Sequence, residues 1–341
     1  MNPSIIKNLK QLANFLRCEE EFLAAYLADD YIILDSVKGD KMPEKIGQTS
    51  IIEKLYLRKR NTSNPSYREI YTVRTDTLKS THKILNSFLI ESYDHSSAVH
   101  GYVKRRNIGT NAAMHLAKRN LLSIDIANFF ESISLTMVQQ VFSSIGFSGF
   151  ASEHLSKLVT LNNFLPMGFN TSPTISNLIV RNMDEQFLKL CGNYCVYTRY
   201  ADDLYFSSDT DLPALNDLEA IVSSNGFSLN PDKTKYMLRG GKQYVTGLTV
   251  FDHIRPRVTK RTKRNLRLEL YYMEKYGLLE HVLHQLGYSK EQYDKNYNVA
   301  SEVNQSIRKF DNRISGWIRF MNSVERPAAQ RFSEQYRKVE R

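Results

Sequence analysis

The sequence has few cysteines and no long apolar run, and both absences narrow the class of protein. Its three cysteines, Cys18, Cys191 and Cys195, are an odd number, and no second Cys pair or His cluster completes a zinc site with the last two. We therefore expect reduced thiols. No apolar stretch approaches the ~20 residues that span a bilayer. The N-terminal segment has neither the apolar run nor the small-residue cleavage site of a signal peptide, so we expect none.

The chain is long enough for several subdomains and is strongly basic near its C-terminus. Its 341 residues show no internal repeat, and 42% are hydrophobic, which is enough for a packed interior. The net charge is +10, and Arg255–Arg341 contains 19 Lys and Arg against 10 Asp and Glu. Tyrosines and Trp317 are interleaved with these cations. This pattern suits RNA phosphates and bases, but it also fits a solvated helical face with aromatic residues in the core.

Hydrophobic periodicity divides the chain into helical and strand segments. Residues 1–35 have helical spacing, and Ser36–Ser50, with two glycines and a proline, is predicted to be a loop. Strands are predicted at Arg68–Arg74, Leu121–Asp125, Cys195–Tyr200, Leu204–Ser208 and Tyr244–Val250. Helices are predicted at Leu78–Glu91, Ser134–Ile145, a segment with Ser172 as N-cap that continues to Leu190, Leu212–Ser224, and most of the chain after Pro256. The order predicts an α+β fold with a split β-α-β-β sheet.

Two carboxylates stand at the ends of apolar strands. Asp125 ends the segment LLSID, and Asp202 lies in the tight turn Ala201-Asp202-Asp203 of a hairpin. Pairing the hairpin beside the first strand brings these side chains together. Phosphoryl transfer from a nucleoside triphosphate uses two divalent ions ~3.5–4 Å apart, and magnesium prefers such oxygen ligands. Each piece has an ordinary alternative, because Asp favours turns and helix caps; co-occurrence in this order favours a polymerase site.

Several segments resemble reverse transcriptase palm motifs, in the order of that family. Tyr200-Ala201-Asp202-Asp203 looks like the motif at the heart of the palm, and Ser123–Phe130 resembles the first palm motif. Leu165-Pro166-Met167-Gly168 with Thr171-Ser172-Pro173 resembles the loop and helix that cover the incoming nucleotide. Gly226–Thr234 resembles the next motif, which contributes a lysine. The resemblance runs from about Arg68 to about Val250, and several motifs in one order are specific.

Two further elements narrow the resemblance to the retron reverse transcriptases. Asn111-Ala112-Ala113-Met114-His115 resembles the Asn-Ala-x-x-His element that precedes the first palm aspartate in that family. Val245-Thr246-Gly247 resembles the Val-Thr-Gly element that follows the palm. A helix-surface histidine and a chance tripeptide are the ordinary alternatives, but both elements stand where the family has them.

The resemblance implies a right-hand polymerase with an antiparallel palm sheet, covering helices and a helical thumb. We expect an N-terminal helical cap at 1–35, fingers at 36–110 and 134–170, a palm at 111–133 and 171–251, and a basic RNA-binding thumb at 252–341. Charged thumb residues and an aromatic one are the expected RNA contacts: Lys260, Arg261, Lys263, Arg264 and Trp317.

Residue roles at the site follow from the same resemblance. Asp125 and Asp202 would hold two Mg²⁺, with the Ile126 carbonyl and Asp203 as additional or weaker ligands. Nucleotide contacts are expected from Arg68 on the triphosphate, Phe130 under the sugar, Lys233 near the pyrophosphate, and Met167 and Gly168 in the covering loop. A core aromatic and exposed charges are the ordinary alternatives for Phe130, Arg68 and Lys233. Many family members have Gln in place of Met167, and close relatives often have Asp in place of Asn128.

By resemblance, the protein is an RNA-directed DNA polymerase of a bacterial retron. It would use dNTPs and one structured noncoding RNA, prime from a 2′-hydroxyl within that RNA, and make branched RNA-linked single-stranded DNA (msDNA). We expect a bacterial cytoplasmic protein without a membrane role, acting in antiviral (phage) defence with a separate effector protein. Alternatives are a group II-like enzyme, a defence polymerase of another lineage, or an inactive RNA-binding scaffold. Intact carboxylates argue against a scaffold, because they would repel RNA phosphates.

Overall fold

A computed structural model describes residues 3–36, 50–58 and 67–339. Its α-helices are α1 (Leu9–Leu16), α2 (Glu20–Leu27), α3 (Asp76–Glu91), α4 (Ile108–Ala113), α5 (Leu135–Ile145), α6 (Gly149–Val159), α7 (Ser172–Ile179), α8 (Arg181–Cys191), α9 (Leu215–Ser224), α10 (Lys260–Tyr276), α11 (Leu278–Leu286), α12 (Lys290–Lys295), α13 (Tyr297–Val324) and α14 (Arg326–Arg337). Its strands are β1 (Tyr31–Asp35), β2 (Ser50–Arg58), β3 (Tyr67–Val73), β4 (Asn120–Asp125), β5 (Val196–Tyr200), β6 (Asp203–Ser208), β7 (Lys235–Leu238), β8 (Tyr244–Val245) and β9 (Leu248–Thr249). Short 3₁₀ helices occupy Pro3–Ile5 and Pro231–Lys233.

The strands form three sheets. In the first, β1 pairs parallel with β2, and β2 pairs antiparallel with β3. The second has the order β5-β6-β4-β7, so the β5–β6 hairpin lies directly beside the strand that ends in Asp125, as predicted. The third is the two-stranded antiparallel pair β8–β9. Helices and sheets together confirm the α+β class.

Backbone contacts group the chain into two compact units. The first contains Met1–Arg105, Ser123–Phe206 and Pro213–Lys235, and the second contains Arg106–Leu122, Ser207–Leu212 and Tyr236–Arg341. The boundaries predicted for cap, fingers, palm and thumb stay a prediction.

An aromatic cluster forms part of the core of the first unit. The ring of Phe15 on α1 lies 5.3 Å from that of Phe88 on α3 and 5.7 Å from that of Phe147. Phe147 also packs edge-on against Phe142 of α5 at 5.7 Å. Edge-to-face packing at these distances is favourable for aromatic rings. The N-terminal helices are thereby fixed to α3 and α5.

In the second unit, α10 and α13 each bury one apolar stripe. Leu266, Leu270 and Met273 of α10 are buried at helical spacing, and Val303, Ile314 and Met321 are the buried residues of α13. The charged residues of α10 lie mostly on its exposed side, which explains how a strongly basic segment folds as a packed helix. The prediction of a helical region after Pro256 is confirmed.

The local predictions for residues 1–35, for the helix at Ser172 and for Tyr244–Val250 were wrong. The helical segment 1–35 ends in strand β1, because consecutive β-branched Ile32 and Ile33 favour a strand and pair with β2. The helix opening at Ser172 is two helices, α7 and α8, interrupted at Val180, and its N-cap is Thr171 while the Ser172 hydroxyl donates to the Pro166 carbonyl at 2.6 Å.

The segment Tyr244–Val250 is a hairpin and not one strand. Thr246 and Gly247 both have positive φ, 47° and 80°, which is the backbone of a type I′ turn. The loop predicted at Ser36–Ser50 falls largely on residues 37–49, outside the described residues. Within the described ranges, no helix is both long enough and apolar enough to cross a membrane.

Candidate active site

The acidic side chains of the two palm motifs meet within the first unit. Asp125 is the last residue of β4, and Asp202 and Asp203 follow Ala201 in the β5–β6 turn, where Ala201 has a φ of 57°. The amide of Ile126 donates to the carbonyl of Asp202 at 3.0 Å, which fixes the turn against the end of β4. On its other side, the carbonyl of Asp125 accepts from the Asn230 amide at 2.8 Å. The structure therefore brings together the predicted cluster.

The cluster has more negative charge than its surroundings compensate. Burial, followed by the charge of Asp125, raises the pKa of Asp202. Burial, followed by the charges of Asp202 and Asp125, raises the pKa of Asp203 to about 7. Repulsion among close carboxylates disfavours their ionised forms, and a bound cation relieves it.

Lys233 supplies the positive charge nearest to Asp125. Its Nζ lies 2.8 Å from each carboxylate oxygen of Asp125, and about half of the lysine side chain is exposed while that of Asp125 is buried. The 3₁₀ turn Pro231–Lys233 places it there. Lys233 therefore contacts the carboxylate cluster through Asp125, and its predicted contact with the pyrophosphate stays a prediction.

Across the described part of the chain, no group of three or more His, Cys, Asp or Glu side chains is arranged as a complete metal site. The oxygen-only donor set and the raised carboxylate pKa values nevertheless fit a hard divalent cation such as Mg²⁺. Asp125, Asp202 and Asp203 are the side chains that would hold it. Ile126, the predicted carbonyl ligand, is buried and paired in a bridge with Leu229.

The predicted nucleotide residues of the fingers lie on β3 and the loop packed against it. Arg68 is exposed on β3 opposite Leu57, and its charge opposes the rise in the pKa of Asp202 that burial and Asp125 cause. The Tyr71 amide donates to the Met167 carbonyl at 2.8 Å. Gly168 has a φ of 110°, and a Cβ there would lie 2.5 Å from the Tyr71 carbonyl oxygen. Only glycine therefore allows this close approach of loop and strand.

Phe130 is 7% exposed, and its ring lies 5.4 Å from that of Phe129. On the side of the active site it neighbours Tyr102, with 6.4 Å between ring centroids. Burial, followed by the charges of Asp202 and Tyr200, raises the pKa of Tyr102. Tyr102 thus belongs to the same site, although the sequence analysis did not select it.

A buried ion pair supports the turn that carries Asp202. Arg199 is fully buried, and its Nε and Nη2 donate to the two carboxylate oxygens of Asp184 at 2.8 and 2.7 Å. Its Nη1 donates to Asn177 Oδ1 at 2.9 Å and to the Ala201 carbonyl at 3.3 Å. Tyr197 also donates to Asp184, at 2.7 Å. A bidentate ion pair has a fixed geometry when its other donors and acceptors are also hydrogen-bonded, as they are in this pair.

The two elements that resemble retron signatures pack together in the second unit. Helix α4, which carries Asn111 and Ala112, contacts both β8 and β9. The hydroxyl of Thr246 donates to the carbonyl of Ile108 at 3.0 Å. His115 is fully buried, not on a helix surface, and its Nδ1 lies 2.7 Å from Ser207 Oγ.

The residues of these two elements differ in their exposure to solvent. Asn111, Ala112, His115 and Val245 are buried, so they support the fold of the second unit rather than offering a surface to RNA. Gly247, at the tip of the hairpin, is exposed.

The predicted thumb contacts do not share one role. Lys260, Arg261 and Arg264 are exposed on α10, and Trp317 on α13 is 36% exposed with its ring 5.7 Å from that of Phe320. Lys263 instead lies 3.0 Å from both carboxylate oxygens of the buried Glu325. Glu325 also accepts from Arg257 at 3.3 Å and from the Val258 amide at 3.2 Å. Lys263 therefore has a structural contact within the second unit, and its assignment as an RNA contact stays a prediction.

Sequence reasoning missed Tyr102, Arg199 with Asp184, and Glu325. Tyr197 and Arg199 are two residues apart on β5, so they point to the same face of the sheet. This spacing was the only local signal for the buried pair of Arg199 and Asp184. Nothing local marks Glu325, because its partners lie 62 to 68 residues away.

Comparison with known proteins decides the family. Residues 57–288 match the family described as "Reverse transcriptase (RNA-dependent DNA polymerase)". The chain belongs to the retron-type reverse transcriptase family. It is 32% identical over 256 residues to the retron Se72 reverse transcriptase of Salmonella heidelberg, covering 72% of this chain and 65% of that protein. With the retron Ec73 reverse transcriptase of Escherichia coli it shares 30% identity over 253 residues, covering 67% and 78% of the two chains.

The matches do not cover every relative equally. The retron Ec86 reverse transcriptase of Escherichia coli is 34% identical over 154 residues, which is 44% of this chain and 48% of that one. The chain thus spans about half to two thirds of the length of the first relatives that it matches. Telomerase from Candida albicans aligns over 87% of this chain and 62% of its own with a TM-score of 0.44 and 12% identity, a likeness that carries no conclusion. The α+β chain has the right-hand polymerase fold class of the retron-type family.

Proposed function

We propose that this protein is the RNA-directed DNA polymerase of a bacterial retron. The observation that carries the proposal is the meeting of Asp125, Asp202 and Asp203 at the ends of adjacent strands, in a chain of the retron-type family. In this proposal a structured noncoding RNA serves as template and supplies the priming 2′-hydroxyl. In this proposal the product is branched, RNA-linked single-stranded DNA.

Each residue of the site has a distinct task in the proposed reaction. Asp125, Asp202 and Asp203 would hold two Mg²⁺, which would supply activation of the attacking hydroxyl and stabilisation of the leaving pyrophosphate. Arg68 binds the triphosphate as a planar donor. Phe130 lies under the sugar and excludes a 2′-hydroxyl. Lys233, held beside Asp125, meets the pyrophosphate as it leaves.

The remaining parts of the proposal concern the domains and partners. We assign the fingers to 36–110 and 134–170, the palm to 111–133 and 171–251, and the RNA-binding thumb to 252–341 after the helical cap. Exposed Lys260, Arg261 and Arg264 suit RNA phosphates, and half-exposed Trp317 suits a base. We place the protein in the bacterial cytoplasm, where its RNA and dNTPs are found, and assign it to phage defence with a separate effector.

The proposal is tested by expressing the chain in bacteria with its neighbouring intergenic DNA and extracting nucleic acid. We expect a short DNA band that debranching shortens and that Asp202→Asn removes. Asp211→Asn, which removes the same charge from an exposed position, is the matched control and should keep the band.

Two other results would replace the proposal. No band, but magnesium-dependent extension of a primer on plain RNA, would indicate a reverse transcriptase of another lineage. No synthesis in either assay, with tight RNA binding retained, would indicate a scaffold.

A further inference from the structure

One aromatic side chain next to Phe130 is only partly covered by the fold. Tyr102 is 47% exposed, and its ring centroid is 6.4 Å from that of Phe130. A tyrosine that served only the core would be covered. The exposed part of this ring is therefore available to a ligand that reaches Phe130.

The backbone at Tyr102 is in an unusual conformation for an aromatic residue. Its φ is 61°, in the left-handed region where the Cβ of an L-residue crowds the carbonyl that follows. An exposed tyrosine on an unconstrained loop would relax to negative φ. Conformations of this kind persist where the surrounding structure fixes them, and they cluster at ligand-binding and active sites.

The surrounding contacts that fix Tyr102 come from the turn that carries Asp202. The amides of His100 and Gly101 lie 2.8 and 3.4 Å from the Arg199 carbonyl, to which both donate. Asn177 Nδ2 donates to the Gly101 carbonyl at 3.0 Å. A Cβ on Gly101 would lie only 2.4 Å from the amide nitrogen of Ala201. Residue 101 thus packs directly on the peptide between Tyr200 and Ala201, in the turn that carries Asp202, and Tyr102 is the next residue in the chain.

We propose that Tyr102 is a binding residue for the incoming deoxynucleoside triphosphate, with its ring packed against the nucleoside that also contacts Phe130. This inference rests on the proposed polymerase function. Aromatic faces bind nucleosides of any sequence, because every base has a π-face, and a polymerase must accept all four.

The test uses variants that the backbone tolerates. Gly and Asn both adopt positive φ readily, so Tyr102→Gly and Tyr102→Asn remove the ring and keep the turn, whereas alanine would add strain. Tyr102→Phe keeps the ring without the hydroxyl. Tyr194→Asn is the control, because Tyr194 is 48% exposed at the opposite end of β5 from Ala201.

Two measurements are made on each variant with a primed RNA template. Steady-state extension gives KM for dNTP and kcat. A primer with a dideoxy end gives binding of the next dNTP without incorporation, seen as a stabilised complex, together with the Kd of the primed template. Thermal unfolding checks the fold.

We expect the Gly and Asn variants to raise KM, and to weaken dNTP binding to the dideoxy complex, by about tenfold or more, as loss of one stacked base does. Their kcat should change less, the Kd of the primed template should be unchanged, and Tyr194→Asn should behave as the original protein. Tyr102→Phe, which keeps the ring, should lose much less dNTP binding than the Gly and Asn variants.

Unchanged dNTP binding in Tyr102→Gly would overturn the inference. So would a weakened primed-template Kd with unchanged KM, which would assign the ring to template or primer. A phenylalanine variant as defective as the glycine variant would overturn ring packing. Failure of the original protein to extend any primer would refute the polymerase function, while the dideoxy complex would still decide the role of Tyr102.

Discussion

Arg199 and Asp184 form a fully buried, bidentate ion pair directly behind the turn that carries Asp202. The guanidinium also reaches the Ala201 carbonyl at 3.3 Å, so the pair connects helix α8 to the backbone of the turn that carries Asp202. The pair therefore supports the backbone of this turn from behind. Burying an ion pair costs desolvation free energy. Removing only one of the two partners destabilises the protein more, because the other charge stays buried without a partner.

Neutralising Asp184 is therefore expected to destabilise the protein strongly. Asp184→Asn should lower the free energy of unfolding by about 3–5 kcal/mol, measured by denaturant titration. The control is Glu185→Gln at the next position, whose pair with Arg181 has both side chains more than half exposed. That change should cost less than about 0.5 kcal/mol. Equal losses in the two variants would contradict a supporting role for the buried pair.

Gly168 is expected to be irreplaceable because of a contact and not only because of its φ. Gly168→Ala places a Cβ 2.5 Å from the Tyr71 carbonyl and 2.8 Å from Ile70 Cγ2, so β3 must move and carry Arg68 with it. We expect a loss of about 1–3 kcal/mol in stability and a raised KM for dNTP.

The variant Gly146→Ala separates the effect of the Cβ contact from the effect of the positive φ. Gly146 has a similar φ of 104° but nothing within 4 Å of its Cβ position, so only backbone strain of about 1 kcal/mol is expected. If Gly146→Ala raised KM as much as Gly168→Ala, the contact argument would fail.

Lys263 and Arg264, which are neighbours on α10, are expected to have different roles, one in stability and one in RNA binding. Lys263→Ala removes a contact to the buried Glu325 and should lower stability by about 1–3 kcal/mol while RNA affinity changes little in the folded protein. Arg264→Ala should leave stability within about 0.5 kcal/mol but weaken RNA binding and reduce its salt slope by about one. Melting curves and RNA titrations at several salt concentrations distinguish the two. The reverse pattern would place Lys263, not Arg264, on the RNA.

His82 is expected to make the protein sensitive to acid. Burial, partly opposed by a hydrogen bond with the Leu158 carbonyl at 3.0 Å, lowers the pKa of His82 to about 4. Below about pH 6.5 the unfolded chain binds a proton that the folded chain excludes. Stability contributed by the neutral ring is thus complete above pH 6.5 and falls as the pH drops toward 4, by at most about 3 kcal/mol.

His82→Gln tests this, since glutamine still offers a donor to the Leu158 carbonyl but does not titrate. Unfolding free energies from pH 7 to pH 4 should fall less steeply in the variant than in the original chain. Identical slopes would show that His82 does not cause the acid sensitivity.

The sequence by itself determined the chemistry of the site. Asp125 ends an apolar strand, and Asp202 stands at the tip of a hairpin, so their meeting follows from one strand pairing, which the sheet order β5-β6-β4-β7 confirms. The helix that begins near Ser134 and the helices after Pro256 were predictable for the same reason, since their signals lie within a few residues. The ordered motifs also indicated the retron-type family.

Only the tertiary structure decided which polar residues are buried behind the site and which stay exposed. Arg199 meets Asp184 across 15 residues, Lys263 meets Glu325 across 62, and Tyr102 takes its conformation from a turn that lies about a hundred residues further along the chain. Likewise, the two signature elements proved to be packed together, with His115 buried against Ser207. Periodicity reports which face of one segment is apolar, but it does not report which distant group satisfies a buried charge. That choice depends on packing between segments, which no local pattern encodes.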